Sequence, residues 1–277
     1  MLIPLLLLML CLLLRAQVAM AAASAACRLF VTAVLPGLFP YMVLSLMAVS
    51  RVKRPSPVLA MLLGWGGGSP TGARLLPLCT DLSRREQVRL AISCATMSPM
   101  FLLGTVGGWL GSPLAGAVVL GSVITGGWAA GRMAGSCIRR GEHGPNAPAA
   151  QGISPLAFGQ AVEQSARTML LVCGTMVMLR VFAALAAEAL PSDAVLPVTT
   201  LMEVTTGAAV IARLPLPLMW RTALIAGATG FGGMAILMQN RAVYPAGFMP
   251  LWHQVLWQAL HGGISFLLAL GLMCLLC

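Results

Sequence analysis

Two short polar segments interrupt long apolar runs of the sequence, Ser69-Pro70-Thr71-Gly72-Ala73-Arg74 and Glu203-Val204-Thr205-Thr206-Gly207-Ala208. Both contain the tripeptide Thr-Gly-Ala. Glycine, proline and hydroxyl groups are tolerated at bilayer depth only where the backbone is buried in protein or lines a cavity. The two segments therefore predict breaks in membrane helices that together form a binding site.

A broken helix offers two kinds of ligand group, because free N–H groups at its N-terminus suit anions and freed carbonyl groups suit cations. Backbone and hydroxyl contacts to a substrate are predicted first for Thr71-Gly72 and Thr206-Gly207. The full set of predicted substrate-binding residues is Ser69, Thr71, Gly72, Arg74, Ser98, Glu203, Thr205, Thr206, Gly207, Gln239 and His261.

Glu203 is the only acidic residue within the apolar sequence of the second segment. An intramembrane carboxylate is a functional hypothesis by default, either as a carrier of a proton or sodium ion or as the partner of an arginine such as Arg74. The alternative is a purely structural ion pair or a position near the interface. Gln239 and His261 carry the same alternative, since amide and imidazole groups also stabilise helix packing in membranes.

The composition indicates the class of protein. Hydrophobic residues make up 59% of the chain and charged residues 9%, with a mean hydropathy of +0.92, whereas soluble domains contain roughly 25% charged residues. A hydrocarbon core about 30 Å thick requires roughly 20 helical residues to cross. The 277 residues therefore predict a single integral membrane domain with about six to eight membrane elements.

The net charge of +10 comes from 17 basic residues, of which 16 are arginine, scattered between the apolar runs. Because no basic stripe is interleaved with aromatic residues, the charge predicts loops held near an anionic lipid surface and no nucleic-acid partner. The bilayer itself is the expected partner, and the formation of a homo-oligomer is left open.

Catalytic and cofactor chemistry find little support in the sequence. The eight cysteines lie mostly in apolar runs, where a thiol behaves as a small buried hydrophobe. Cys274 and Cys277 have CxxC spacing but no second ligand pair, so no metal is predicted. No Gly-x-Ser-x-Gly, His-Glu-x-x-His or phosphate-loop motif occurs, and neither enzymatic activity nor a cofactor is expected.

The first half of the chain, residues 1–133, begins with a leucine-rich run over 2–14. Without a preceding basic region this run is more typical of an uncleaved helix than of a signal peptide. Pro36 and Pro40 are expected to kink or split the span over 29–50. A half-helix over 58–65 should return over 71–80, and Asp81 or Ser83 should cap the next helix. A second break of this half is predicted at Met97-Ser98-Pro99.

A polar linker over 134–154 separates this half from the second half, residues 155–277. A second half-helix is predicted over 197–212, with its returning arm over 216–228 and a closing span over 251–276. By the distribution of basic residues, the loop at 191–193 faces outward and the start of the linker faces the cytoplasm.

The two halves resemble one another at an offset of 135 residues. This offset carries Thr71 onto Thr206, Ser98 onto Gly233 and Gly127 onto Gly262. Chance is the alternative in sequence so rich in glycine and alanine, but the repeated order of span, broken pair, second break and final span favours duplication. The predicted fold is an all-α polytopic transmembrane bundle with two broken or re-entrant helical hairpins in an inverted repeat.

The order of the motifs resembles that of the sporulation integral membrane protein YlbJ family, whose members carry a nucleoside-recognition or gate domain. The resemblance covers about residues 30–270 and is carried by five segments. These are Gly68 to Arg74, Ser98 to Gly107, Glu203 to Gly207, Gly232 to Gln239, and His261-Gly262. It implies a multi-pass protein of the bacterial inner membrane, related to transporter gate domains and acting in sporulation.

Two functions of different classes follow. The first is a permease or channel-like transporter for a small polar solute or ion, which uses the two chain breaks as its binding site. The alternative is a non-transporting membrane scaffold required for assembly of the spore envelope or coat.

Overall fold

A computed structural model of the protein describes residues 2–52, 56–76, 82–138 and 155–276. These residues form helices and no strand, which confirms the all-α prediction for this part of the chain. Five helices within it are long and apolar enough to cross a membrane, and they indicate a multi-pass membrane protein. Their bounds are Ala16–Ser50, Pro113–Ser136, Phe158–Ala187, Leu218–Val243 and Leu251–Leu276.

The N-terminal region is one long helical path. Helix α1 (Leu2–Leu14) has no buried residue and leads into α2 (Ala16–Leu29). A π-helical segment, Phe30–Val34, joins α2 to α3 (Leu35–Ser50). The predicted split at the prolines is wrong, because the helix continues through both; the wide turn lies directly before Pro36, which cannot donate a backbone hydrogen bond.

Two short helices follow, α4 (Pro57–Gly67) and α5 (Thr71–Leu75). They meet at Gly68, whose φ of +64° favours glycine. A Cβ atom on Gly64 would lie 3.3 Å from the Cα atom of Gly72, so the two helices pack side by side. This matches the predicted pair as far as Leu76, while the rest of the expected returning arm, 77–80, lies outside the described residues.

Helix α6 (Arg84–Ser93) begins at Ser83, which forms a reciprocal capping box with Glu86 and confirms the prediction of a cap there. Asp81, the alternative cap, lies outside the described residues. A second π-helical segment, Phe101–Val106, continues into α7 (Gly107–Leu110).

Helix α8 (Pro113–Ser136) follows the turn at Gly111 and extends beyond residue 134, where the polar linker was expected to begin. Most of that linker, 139–154, lies outside the described residues. Two buried apolar clusters surround these helices, and the larger includes Met42 of α3, Val119 of α8 and the π-helical Phe101.

The second half contains α9 (Phe158–Ala187), α10 (Ser192–Met202), α11 (Val204–Ile211), α12 (Leu218–Phe231), α13 (Gly233–Val243) and α14 (Leu251–Leu276). The prediction of one half-helix over 197–212 is wrong, because Glu203 adopts an extended backbone conformation and separates α10 from α11. The predicted returning arm over 216–228 belongs to α12, which forms a candidate membrane span together with α13.

Candidate functional site

A small cavity lies between the two chain breaks. The first break contributes Ser69, the second contributes Glu203, Val204 and Thr205, and α13 contributes Gln239. The remaining wall is apolar and comprises Val34, Leu38, Met97, Phe101, Val172, Met176, Ala235 and Ile236. The volume of the cavity is about 30 Å³, which is enough for about two water molecules. In this conformation the cavity suits water or a small ion.

Glu203 is the buried carboxylate of this cavity, with 1% of its surface exposed. Its Oε1 atom accepts a hydrogen bond from the Thr205 N–H at 2.9 Å. Its Oε2 atom accepts from the Thr206 N–H at 2.7 Å and from the Thr206 hydroxyl at 2.6 Å. These donors, at the positive end of α11, compensate the negative charge.

Glu203 has no cationic partner within 4 Å among the described residues, whose recorded ion pairs lie at the surface. The suggested pairing with Arg74 is therefore wrong for this conformation. Oε1 accepts a single hydrogen bond, and a carboxylate oxygen can accept two. The carboxylate thus keeps accepting capacity beside the cavity.

Hydrogen bonds join the first break, at Ser69, to α13 and to the residues that precede Ser98. The Ser69 N–H donates to the Thr96 carbonyl at 2.6 Å, and the Ser69 hydroxyl donates to Oδ1 of Asn240, also at 2.6 Å. On the neighbouring residue, Nε2 of Gln239 donates to the Thr175 hydroxyl of α9 at 2.9 Å. The polar wall of the cavity therefore links α13 to both α9 and the first break.

The two glycines predicted to contact a substrate both lie in close contact with neighbouring residues. A Cβ atom on Gly72 would overlap the Cβ atom of Cys94, and one on Gly207 would lie 2.7 Å from the Cα atom of Thr200. The buried hydroxyl of Thr71 donates to the Gly67 carbonyl of the preceding helix at 3.2 Å. None of these three predicted contacts lines the cavity.

Three further predicted residues, Arg74, Ser98 and His261, also lie away from the cavity lining. Arg74 donates to the Gln164 carbonyl of α9 at 3.3 Å. Ser98 donates to the Gly37 carbonyl at 2.8 Å and accepts from the Phe101 N–H, so it begins the next helical segment.

His261 is completely buried, and its Nε2 atom lies 2.9 Å from the Val123 carbonyl of α8. Its ring also lies close to Gly127, where a Cβ atom would be 3.1 Å away. This arrangement matches the packing alternative that the sequence left open for His261.

Four of the eleven predicted residues therefore share the cavity, namely Ser69, Glu203, Thr205 and Gln239. Thr206 does not line the cavity, but its hydroxyl donates to Glu203. Thr206 itself lines a separate, larger cleft together with Arg28, Arg180 and Arg213. The sequence prediction missed Thr175 as a partner and the apolar lining as a whole, and it left Asn240 out of the predicted site. Met97 and Phe101 could have been found, because Met97 belongs to the predicted break at Met97-Ser98-Pro99 and Phe101 follows it closely.

Comparisons with protein-family models, with characterised proteins and with solved structures found no match. Within the described residues, no group of three or more His, Cys, Asp or Glu side chains is placed to hold a metal ion. The five candidate spans indicate a multi-pass helical membrane protein, and the cavity lining combines polar residues from both halves of the chain with a mainly apolar wall.

Proposed function

We propose that this protein is a membrane transporter of the YlbJ type for a small polar solute or ion, with the cavity between the two chain breaks as its binding site. In this proposal α4–α5 and α10–α11 are re-entrant hairpins whose tips meet inside the bilayer. The observation that carries it is the joint lining of one buried cavity by Ser69 of the first break and Glu203 of the second.

Similar contacts in the two halves support an internal repeat. In the first half, a Cβ atom on Gly68 would lie 2.6 Å from the Ser98 nitrogen. In the second half, a Cβ atom on Gly233 would lie 3.0 Å from the Leu201 carbonyl oxygen. The offset of 135 residues carries Ser98 onto Gly233 and Gly68 onto Glu203, which lies two residues after Leu201. Each hairpin tip thus contacts the second break of its own half.

The cavity lining follows the same offset, which carries Ser69 onto Val204 and Phe101 onto Ile236. All four residues line the cavity. A site between two inverted repeats can be reached alternately from either side when one repeat moves against the other. This relation supports a transport site rather than a packing defect.

The size and chemistry of the cavity favour a small cation or a proton as a transported or coupled species. Oxygen atoms of Ser69, Glu203 and Thr205 are the ligand type that hard cations prefer, and Glu203 has no cationic partner among the described residues. Drug-sized ligands occupy clefts of roughly 300–1,000 Å³. A nucleoside would therefore require a more open conformation.

The test uses the purified full-length protein in sealed vesicles, with flux measured under imposed sodium and proton gradients and for a panel of polar solutes that includes nucleosides. Glu203→Gln removes the charge and keeps the shape, and it should abolish flux while the protein still inserts and accumulates. Glu163→Gln is the matched control, because Glu163 is exposed and paired with Arg167. It should transport like the unmodified protein.

Two outcomes would contradict the transport proposal. One is the absence of both flux and binding for every solute in the panel, and the other is normal flux in Glu203→Gln. The scaffold alternative makes the opposite prediction, since Glu203→Gln and Thr206→Ala would leave an envelope or spore phenotype intact. Changes at exposed apolar positions such as Leu170 and Leu267 would then disrupt it.

A further inference from the structure

A second and larger cleft lies on the other side of α11, and its volume is about 620 Å³. Thr206 forms part of its wall, whereas Glu203 belongs to the cavity described above. Arginines from three separate parts of the fold line this cleft. They are Arg28 of α2, Arg180 of α9 and Arg213, two residues beyond the end of α11.

The charges of these three arginines are not balanced by the residues that the structure describes. None of the described residues that line the cleft is acidic. Their guanidinium groups make no recorded hydrogen bond or ion pair with any described residue, in contrast to Arg15, which pairs with Glu188 at 3.3 Å. A cleft lined by charges of one sign concentrates counter-ions. The cleft is therefore complementary to an anion.

The rest of the lining is apolar or carries a hydroxyl group. Along α2 and the π-helical segment that follows it, the residues that face the cleft recur at helical spacing, from Ala21 through Arg28 to Thr32, and α11 adds Ala209 and Val210. Both α2 and α9 belong to candidate membrane spans. An occupant of this cleft would thus contact cationic groups and hydrocarbon-like surface together.

The positions of Arg180 and Arg213 along the chain fit the depth of lipid headgroups. Arg180 precedes the end of α9 at Ala187 by seven residues, or about 10 Å along the axis. A long arginine side chain can cover much of that distance while its stem stays on apolar surface. Arg213 already lies beyond the end of α11.

From these observations we infer that the cleft binds an anionic phospholipid. Its phosphate contacts Arg28, Arg180 and Arg213, and its acyl chains lie along the apolar part of the wall. Guanidinium groups match phosphate oxygens in geometry and form charge-assisted hydrogen bonds with them. This inference does not depend on transport, because the cleft and the buried cavity are separate.

The experiment is a lipid titration of the purified full-length protein in detergent, followed by native mass spectrometry. Phosphatidylglycerol, phosphatidylcholine with the same acyl chains, and inorganic phosphate are the three probes. The unmodified protein should retain phosphatidylglycerol more tightly than phosphatidylcholine. Replacing the three arginines by glutamine should weaken retention about five-fold for each charge, on the order of 100-fold for R28Q/R180Q/R213Q.

The matched control is R51Q/R132Q/R167Q, which makes the same change in net charge at exposed arginines outside the cleft. It should retain phosphatidylglycerol like the unmodified protein. The inference is overturned by equal retention of the two lipids, by equal effects of the two triple variants, or by displacement of the lipid with inorganic phosphate, which would indicate a site for a soluble anion.

Two further variants keep the test decisive if the triple variant fails to accumulate. Arg213→Gln alone changes an exposed residue beyond a helix end and should weaken retention about five-fold. R28K/R180K/R213K keeps the charge and should retain the preference for the anionic lipid. Loss of that preference in the lysine variant, or unchanged retention in Arg213→Gln, would contradict the inference.

Discussion

The two chain breaks interrupt their helices by different means. The first, around Gly68, carries no charge and is closed by contact, since Gly64 and Gly72 leave no room for a side chain beside Cys94. The second is built on Glu203, whose carboxylate accepts three hydrogen bonds from Thr205 and Thr206. Shape is sufficient to end a helix, but only the second break places a carboxylate beside the cavity.

The largest effect is expected from the feature that the two breaks share, a glycine in close contact. Gly72→Ala and Gly207→Ala should each destabilise the protein by about 1–3 kcal/mol or more, because the new methyl group overlaps neighbouring atoms. The measurement is the free energy of unfolding in mixed detergent micelles. Gly121→Ala is the control, since nothing lies within 4 Å of its Cβ position, and it should stabilise α8 by about 0.5–1 kcal/mol.

A second substitution distinguishes the breaks. Cys94→Gly removes the Cβ atom that the new methyl group of Gly72→Ala would overlap, so the double variant should recover much of the lost stability. No such rescue exists for Gly207→Ala, where the Thr200 backbone itself lies 2.7 Å away. If Gly72→Ala proved harmless, the first break would not be closed by contact.

The next largest effect concerns the charged break alone. Glu203→Ala leaves the N–H groups of Thr205 and Thr206 without their acceptor in a buried site. Loss of a capping side chain and of buried hydrogen bonds should cost about 2 kcal/mol. Thermal unfolding in detergent can be compared with that of Glu163→Ala, an exposed control for which a cost of about 0.5 kcal/mol or less is expected. Equal stability of both variants would show that the cap is dispensable.

A smaller effect is expected where the uncharged break contacts α13. Ser69→Ala removes the hydroxyl that donates to Asn240 at 2.6 Å, and the cost should be about 1 kcal/mol. A double-mutant cycle with Asn240→Ala isolates the interaction, and a coupling free energy of about 0.5–1.5 kcal/mol is expected. Strict additivity would mean that the two side chains do not interact in the bilayer.

The smallest effect should come from the ion pair between Arg15 and Glu188, which lies outside both breaks. The Arg15 side chain is 60% exposed, and exposed pairs contribute about 0–1 kcal/mol. Glu188→Gln should therefore change the melting temperature less than Ser69→Ala, and added salt should reduce the difference further. A larger effect than that of Glu203→Ala would reverse the proposed ranking.

The sequence was sufficient to locate both breaks, because glycine, proline and threonine are conspicuous in apolar surroundings. It could not predict that Glu203 would cap its own helix. That outcome depends on an extended backbone at Glu203, with φ of −137° and ψ of 100°. The flanking sequence would be the same if Glu203 lay inside a continuous helix, so the sequence does not distinguish the two cases. The predicted half-helix over 197–212 was wrong for this reason.

Which way a polar side chain points was equally hidden from the sequence. Gln239 and Asn240 are adjacent, yet the first reaches Thr175 of α9 and the second Ser69. His261 points at α8 because a glycine, Gly127, leaves space for its ring there. Such directions depend on the rotation of one helix against its neighbours, which a single sequence does not determine.

The π-helical segment Phe101–Val106 has a consequence for how the chain tolerates changes in length. A wide turn contains one residue more than an α-helical turn requires. Deleting the exposed Leu103 should convert this turn to α-helix. The same side of α8 should then still pack against its neighbouring helices. Deleting Gly121 within α8 would instead rotate one part of that helix by about 100° relative to the other. Natural length variation should therefore be accommodated beside the cavity wall and excluded from the long span that follows it.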